Sequence, residues 1–199
     1  MSSQYEDLEK LQTLIIDILR VERNHRIPES ERRENVVEHS FSVAMLSWRI
    51  FDALHPPLDL NKIFKYALVH DFSERGQKYD VNTYASAPER EAKKKYEDAE
   101  LEKISSEMVK FTDFVHTLQA YEECKDEEAL FVWCVDKLQA RVLGSIDKWR
   151  PYRLYGVTYE QFCTQSERII GKCPPYLKDL FASMFKYYES IYYDQPSKS

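Results

Sequence analysis

Residues 61–74, NKIFKYALVHDFSE, set the reading of the whole chain. The stretch follows Pro56-Pro57, which end the segment before it, and starts beside Asp59 and Asn61, either of which suits the N-cap of a new helix. It closes on the adjacent pair His70 and Asp71. Neighbouring side chains on a helix diverge by about 100°, so these two reach one point together only where the helix ends. Phe72 to Gly76 supply such an end.

Two further residues complete a set. His39 in ENVVEHSF (residues 34–41) and Asp136 in WCVDKLQA (residues 133–140) lie in segments that also read as helix. His39 precedes His70 by about 30 residues, room for a helix and a connection, and Asp71 precedes Asp136 by about 65, room for a loop and two more helices. Two imidazoles and two carboxylates drawn from three helices onto one divalent ion leave coordination positions open for water and substrate. Such an ion polarises a phosphoryl oxygen and lowers the pKa of its water toward neutrality, the two needs of phosphate ester hydrolysis. The donor set suits a single Mn, Fe, Co, Ni or Zn, with Mg less suited because imidazole is a poor ligand for it. Taken singly, His39 reads as a core histidine and Asp136 as the partner of Lys137 or an arginine. The ordered set makes the case for a metal.

Glu74 stands three residues after Asp71, on a neighbouring face of the same turn, where it can orient or deprotonate an attacking water. Asp80, further along the loop, is the second carboxylate for that task; the bland reading of both is solvated surface. His25, His55 and His116 do not follow the His70-Asp71 pair closely enough to serve a second ion, so the site reads as mononuclear.

Composition agrees with an all-α, single-domain helical bundle. The chain of 199 residues has only four glycines, and no Gly, Pro or Ser-rich linker divides it. A chain of this length buries roughly 70% of the surface its unfolded form exposes and needs no disulfides. Cys124, Cys134, Cys163 and Cys173 form no CxxC pair, and no apolar run resembles a signal peptide or a membrane span, so a cytoplasmic setting is the expectation. A net charge of −6 disfavours duplex nucleic acid as a partner. It leaves an anionic small molecule open, since a metal and a few arginines make one pocket locally positive.

The periodicity predicts an amphipathic helix over about residues 5–23 with Leu8, Leu11, Ile15, Ile18 and Leu19 on one face, then a polar loop, NHRIPESERREN. Helices follow at about 36–54 and from Asn61, then a loop of roughly a dozen residues, RGQKYDVNTYASAP, whose length favours function. Further helices are expected at about 88–109, 111–123 and 126–143. The motif-bearing core thus spans about 24–143 of a domain covering 1–199, with C-terminal helices over about 158–193 packing on it. The last of these carries Leu177, Leu180, Phe181, Met184, Phe185 and Tyr188 as an apolar stripe that covers the core or forms a dimer interface.

RIP, ENVVEHSFSVAML, ALVHDFSE, EREAKKKYE and VDKLQA together resemble the HD-domain phosphohydrolases, most closely the small proteins that include bacterial 5′-deoxynucleotidases. The resemblance implies an α-helical fold, often a homodimer, that removes phosphate from deoxynucleoside 5′-monophosphates with a divalent metal. It implies His39, His70, Asp71 and Asp136 as metal ligands, Glu74 in the catalytic role and Asp80 as the loop carboxylate. Two departures stand out. The segment before EHS is short, with His25 and Ile27 near the positions where relatives carry an arginine and an aromatic residue, and ERGQKYD replaces the Gly-Asp ending of the family loop. Arg26 is the first candidate for phosphate, with Arg23, Arg32 and Arg33 behind it, because a guanidinium matches phosphate oxygens bidentately.

Three other readings compete. A deoxynucleoside triphosphohydrolase would need more positive charge, which Lys78, Arg75 and the Lys93-Lys94-Lys95 run can supply. A non-catalytic nucleotide-binding module would keep the pocket without turnover. Oxygen chemistry at two irons would require ligands beyond those found.

Overall fold

The structure, a computed structural model, describes residues 4–77 and 85–193. Lys78 and Asp80 lie outside the described residues. Helix α1 (Gln4–Leu19) leads into a two-stranded antiparallel hairpin, β1 (Glu22–Arg26) and β2 (Arg33–Asn35). There follow α2 (Val36–Leu54), α3 (Leu60–Val69), a 3-10 turn (Phe72–Glu74), α4 (Ala87–Glu107), α5 (Thr112–Glu123), α6 (Glu127–Ile146), the short α7 (Arg150–Leu154), α8 (Tyr159–Lys172) and α9 (Pro175–Ser190). The architecture is an all-α bundle with one small β-ribbon.

Local chemistry fixes the helices that matter. Asn35 caps α2 with a reciprocal box: its side chain accepts from the Glu38 amide at 3.0 Å and the Glu38 carboxylate accepts from the Asn35 amide at 3.1 Å. Asp59 caps α3, accepting from the Asn61 amide at 2.8 Å. Asp126 caps α6 through the Ala129 amide at 2.8 Å, and also accepts from the Tyr66 hydroxyl of α3 at 2.7 Å. One carboxylate therefore starts α6 and ties it to α3.

Helices α2, α3, α6, α8 and α9 enclose the main core, in which Ile63, Phe131, Leu138, Phe162, Phe181 and Phe185 are fully buried. A second cluster of Leu14, Ile18, Val36, Ile104 and Leu118 joins α1 to α2, α4 and α5. All four cysteines carry free thiols. Among the described residues, no helix is long and apolar enough to cross a membrane.

Two expectations change, and a third, left open between core and dimer interface, is decided. The first helix stops at Leu19, and its buried face is Leu14 and Ile18, whereas Leu8 and Leu19 are exposed. The polar stretch expected as a loop contains the hairpin: its strands are too charged to show apolar alternation, and backbone pairing forms them. The C-terminal stripe faces inward, with Leu177, Phe181, Phe185 and Tyr188 buried in the core. Exposed apolar side chains lie elsewhere, among them Phe41, Met45 and Trp48 on α2 and Leu68 on α3.

Candidate metal centre

His39 sits one turn into α2 and is fully buried. Helix α3 ends at Val69, and His70 still has helical dihedrals (φ −57°, ψ −29°) while Asp71 leaves them (φ −110°, ψ 17°). That break brings two adjacent side chains to one side, as the helix-end argument requires. Gly76, at φ 78°, then turns the chain away, in a conformation costly for other residues. Asp136 comes from the middle of α6.

These side chains converge. His39, His70 and Asp136 offer ligand atoms within 4.8 Å of one another. His39 Nε2 lies 2.9 Å from Asp136 Oδ1, and Asp71 Oδ2 lies 3.7 Å from His39 Nε2 and 3.4 Å from His70 Nε2. His70 Nδ1 approaches the Ala67 carbonyl at 2.9 Å. A carbonyl only accepts, so Nδ1 donates to it and Nε2 is the ring nitrogen turned toward the cluster. That Nε2 is buried and has no hydrogen-bond partner among the described residues. An orphaned imidazole nitrogen facing two carboxylates and a second imidazole fits a divalent ion of the Mn-to-Zn series.

Around these four lies a further layer, of which the sequence reading passed over Glu34 and Gln139. Glu34 of β2 is 2% exposed, accepts from Gln139 Nε2 at 2.9 Å, and places Oε2 3.7 Å from His39 Nδ1. Arg23 of β1 reaches across the same space: Nη1 donates to Asp71 Oδ2 at 2.5 Å, Nη2 is 3.9 Å from Asp136 Oδ1, and Nε is 3.8 Å from Glu34 Oε2. Lys137 Nζ lies 2.7 Å from Asp136 Oδ2, the pairing expected of Asp136 in its bland reading, here within the cluster. Glu74, 4% exposed, accepts from Lys93 Nζ at 2.6 Å.

Charge and burial work against each other here. Burial pushes the Glu34 carboxyl up to about 7, against the pull of Arg23 and the Gln139 hydrogen bond. Burial, helped by the Arg23 charge, holds His39 down at about 4 and so keeps it neutral, the ligating form. Burial alone would raise Asp71 and Asp136. The imidazoles and Arg23 around Asp71, and Lys137 and His39 around Asp136, outweigh it and hold both carboxyls below their ordinary range.

A cleft of about 290 Å³ opens onto the cluster and is lined by Arg23, His70, Asp71, Glu74, Lys93 and Asp136, among others. Of the arginines picked out from sequence, Arg23 lines it and Arg26, Arg32 and Arg33 do not. Arg26 turns to the carboxylate of Glu31 at 2.6 Å, Arg32 pairs with Glu38 at 2.8 Å, and Arg33 faces Glu22 at 4.0 Å. The hairpin decides the outcome: β1 is irregular between Glu22 and Arg26, and it sends Arg23 to Asp71 while Arg26, opposite Arg33, turns to Glu31. Arg75 is also spoken for, by Glu100 and Glu107.

The HD domain family matches residues 17–177, and the chain belongs to that family. No curated protein matches the sequence. Several solved structures are similar, two of which follow. One is described as a predicted metal-dependent phosphohydrolase from Magnetospirillum magnetotacticum MS-1, at 17% identity and TM-score 0.74, covering 96% of this chain and 99% of that one. The other is the PH0347 protein from Pyrococcus horikoshii OT3, at 27% identity and TM-score 0.65, covering 90% of this chain and 98% of that one.

Proposed function

We propose that the protein is a metal-dependent phosphohydrolase that removes phosphate from nucleoside 5′-monophosphates, deoxynucleotides first among them. One observation carries the reading: buried His39, His70 and Asp136, with the partly buried Asp71 beside them, open on a cleft that also holds a carboxylate, Glu74, and the guanidinium of Arg23. The description of the Magnetospirillum structure as a metal-dependent phosphohydrolase supports it, as do the sequence motifs.

His39, His70, Asp71 and Asp136 would hold one divalent ion, which polarises the phosphoryl group and acidifies a bound water. Glu74 takes the proton of the attacking water, and Lys93 Nζ, 2.6 Å from its Oε1, holds the carboxylate in place. Arg23 and Lys137 present positive charge to the phosphate oxygens from the same cleft. Glu34, clamped by Gln139, fixes the His39 ring from behind.

Product analysis by ion-exchange chromatography tests the reading, with nucleoside mono- and triphosphates, ribo and deoxy, across Mn, Co, Ni, Zn and Mg. The expected outcome is orthophosphate from monophosphates, lost in Asp71→Ala. Metal-loaded protein that releases no phosphate from any nucleotide would end the proposal.

A further inference from the structure

A second cavity of about 350 Å³ adjoins the metal cleft and shares Lys93, Glu97, Trp133 and Lys137 with it. Three helices build it with one face each. Helix α4 contributes Arg90, Lys93, Lys94 and Glu97, α6 contributes Trp133 and Lys137, and α8 contributes Gln165, Arg168, Ile169 and Lys172. Each set follows the three-and-four spacing of a single helical face. Six basic side chains and one carboxylate thus surround a cavity in a protein whose net charge is −6.

Three of the six cations, Arg90, Arg168 and Lys172, have no carboxylate within ion-pair distance among the described residues. The guanidinium of Arg90 donates to the Ala85 carbonyl, which leaves its charge uncompensated. Lys172 Nζ stands 5.0 Å from the centre of the Trp133 ring and Lys137 Nζ 5.8 Å from it, so the indole lies within cation–π reach of two ammonium groups. Arg90 with Lys94, and Arg168 with Lys172, are like charges four residues apart on one helix face, an arrangement that disfavours a helix. Lys93, Lys94 and Lys137 have carboxylate partners in the fold, whereas Arg90, Arg168 and Lys172 have none among the described residues, and a polyanion would supply what those three lack.

We propose that this cavity is a second phosphoryl subsite: besides the phosphate at the metal centre, the site accepts nucleotides that carry a further phosphoryl group, held between α4, α6 and α8. This rests on the phosphohydrolase reading and widens its substrate class from nucleoside 5′-monophosphates to nucleotides with more than one phosphoryl group. Lys93 and Lys137 line both cavities and bridge the two groups. The chemistry is shared by a phosphoanhydride chain and by two separate phosphate esters on one nucleoside. Either presents several anionic oxygens to guanidinium and ammonium donors.

The test uses the full-length, metal-free protein titrated calorimetrically with inorganic pyrophosphate, comparing wild type with Arg168→Gln/Lys172→Gln. Both positions are on the exposed side of α8, away from the metal ligands, and Arg168→Gln alone provides a milder second variant. Pyrophosphate binding that weakens about tenfold in the double variant, and less in the single one, supports the subsite. Equal binding by all three proteins, or none by wild type, overturns it. With metal restored, KM is then measured for a nucleoside 5′-monophosphate, the 5′-triphosphate and the 3′,5′-bisphosphate. A rise of about tenfold in the double variant confined to the triphosphate assigns the subsite to an anhydride chain, and one confined to the bisphosphate assigns it to a second ester. The same rise for the monophosphate would overturn the proposal. If no nucleotide is hydrolysed but pyrophosphate binding depends on Arg168 and Lys172, the hydrolase reading fails and the anion subsite stands.

Discussion

Replacing Glu34 by Gln should remove a pH-dependent penalty from the metal-free protein. Glu34 is buried beside His39 and Gln139, and burial lifts its carboxyl from 4.5 to about 7. In the folded state it therefore holds its proton more tightly than in the unfolded chain. Its contribution to stability is fully present below pH 4.5 and is lost as pH rises through about 7. The full difference is about 3 kcal/mol, and about 2 kcal/mol of it falls between about pH 5 and about pH 8. Gln keeps the shape and the acceptor for Gln139 and does not titrate. Urea unfolding of both proteins, metal-free, should show wild type losing about 2 kcal/mol relative to Glu34→Gln over that interval. A difference that stays flat with pH, or one that grows in favour of wild type, would refute the assignment of a protonated, buried Glu34.

Two further outcomes are expected. Phe181→Ala, at a fully buried position of α9, should cost about 3–5 kcal/mol in urea or thermal unfolding, confirming that the C-terminal stripe is core. Asp126→Ala should cost about 2 kcal/mol, because it removes the α6 cap and leaves the Tyr66 hydroxyl without its acceptor; stability rather than metal affinity should register most of the loss.

The HD-domain assignment gives these residues a common purpose. A neutral His39 and strongly ionised Asp71 and Asp136 form a set of donors already in their ligating states, with Arg23 and Lys137 supplying positive charge to the carboxylates. The same two cations face the cleft that a phosphate would enter. On the proposed reading, metal affinity and substrate affinity would be tied to the same few charges, with Arg23 in contact with both.

The sequence by itself determined the helices and the four side chains they carry to one point. His39, His70, Asp71 and Asp136 were legible because helical periodicity, caps and proline stops are local, and because the break after Val69 is written in the residues that follow it. Tertiary structure decided everything that depends on which face of a charged segment turns inward. Glu22 to Asn35 carries no apolar alternation, so nothing local distinguishes Arg23 from Arg26 or marks Glu34 as buried; only the hairpin, placed against α6, sends Arg23 and Glu34 to the metal ligands and Arg26 to Glu31. The cationic cavity arose in the same way. Arg90, Trp133 and Arg168 lie on three helices far apart in sequence, and charges spread along a chain become one electrostatic site only when packing brings their faces together.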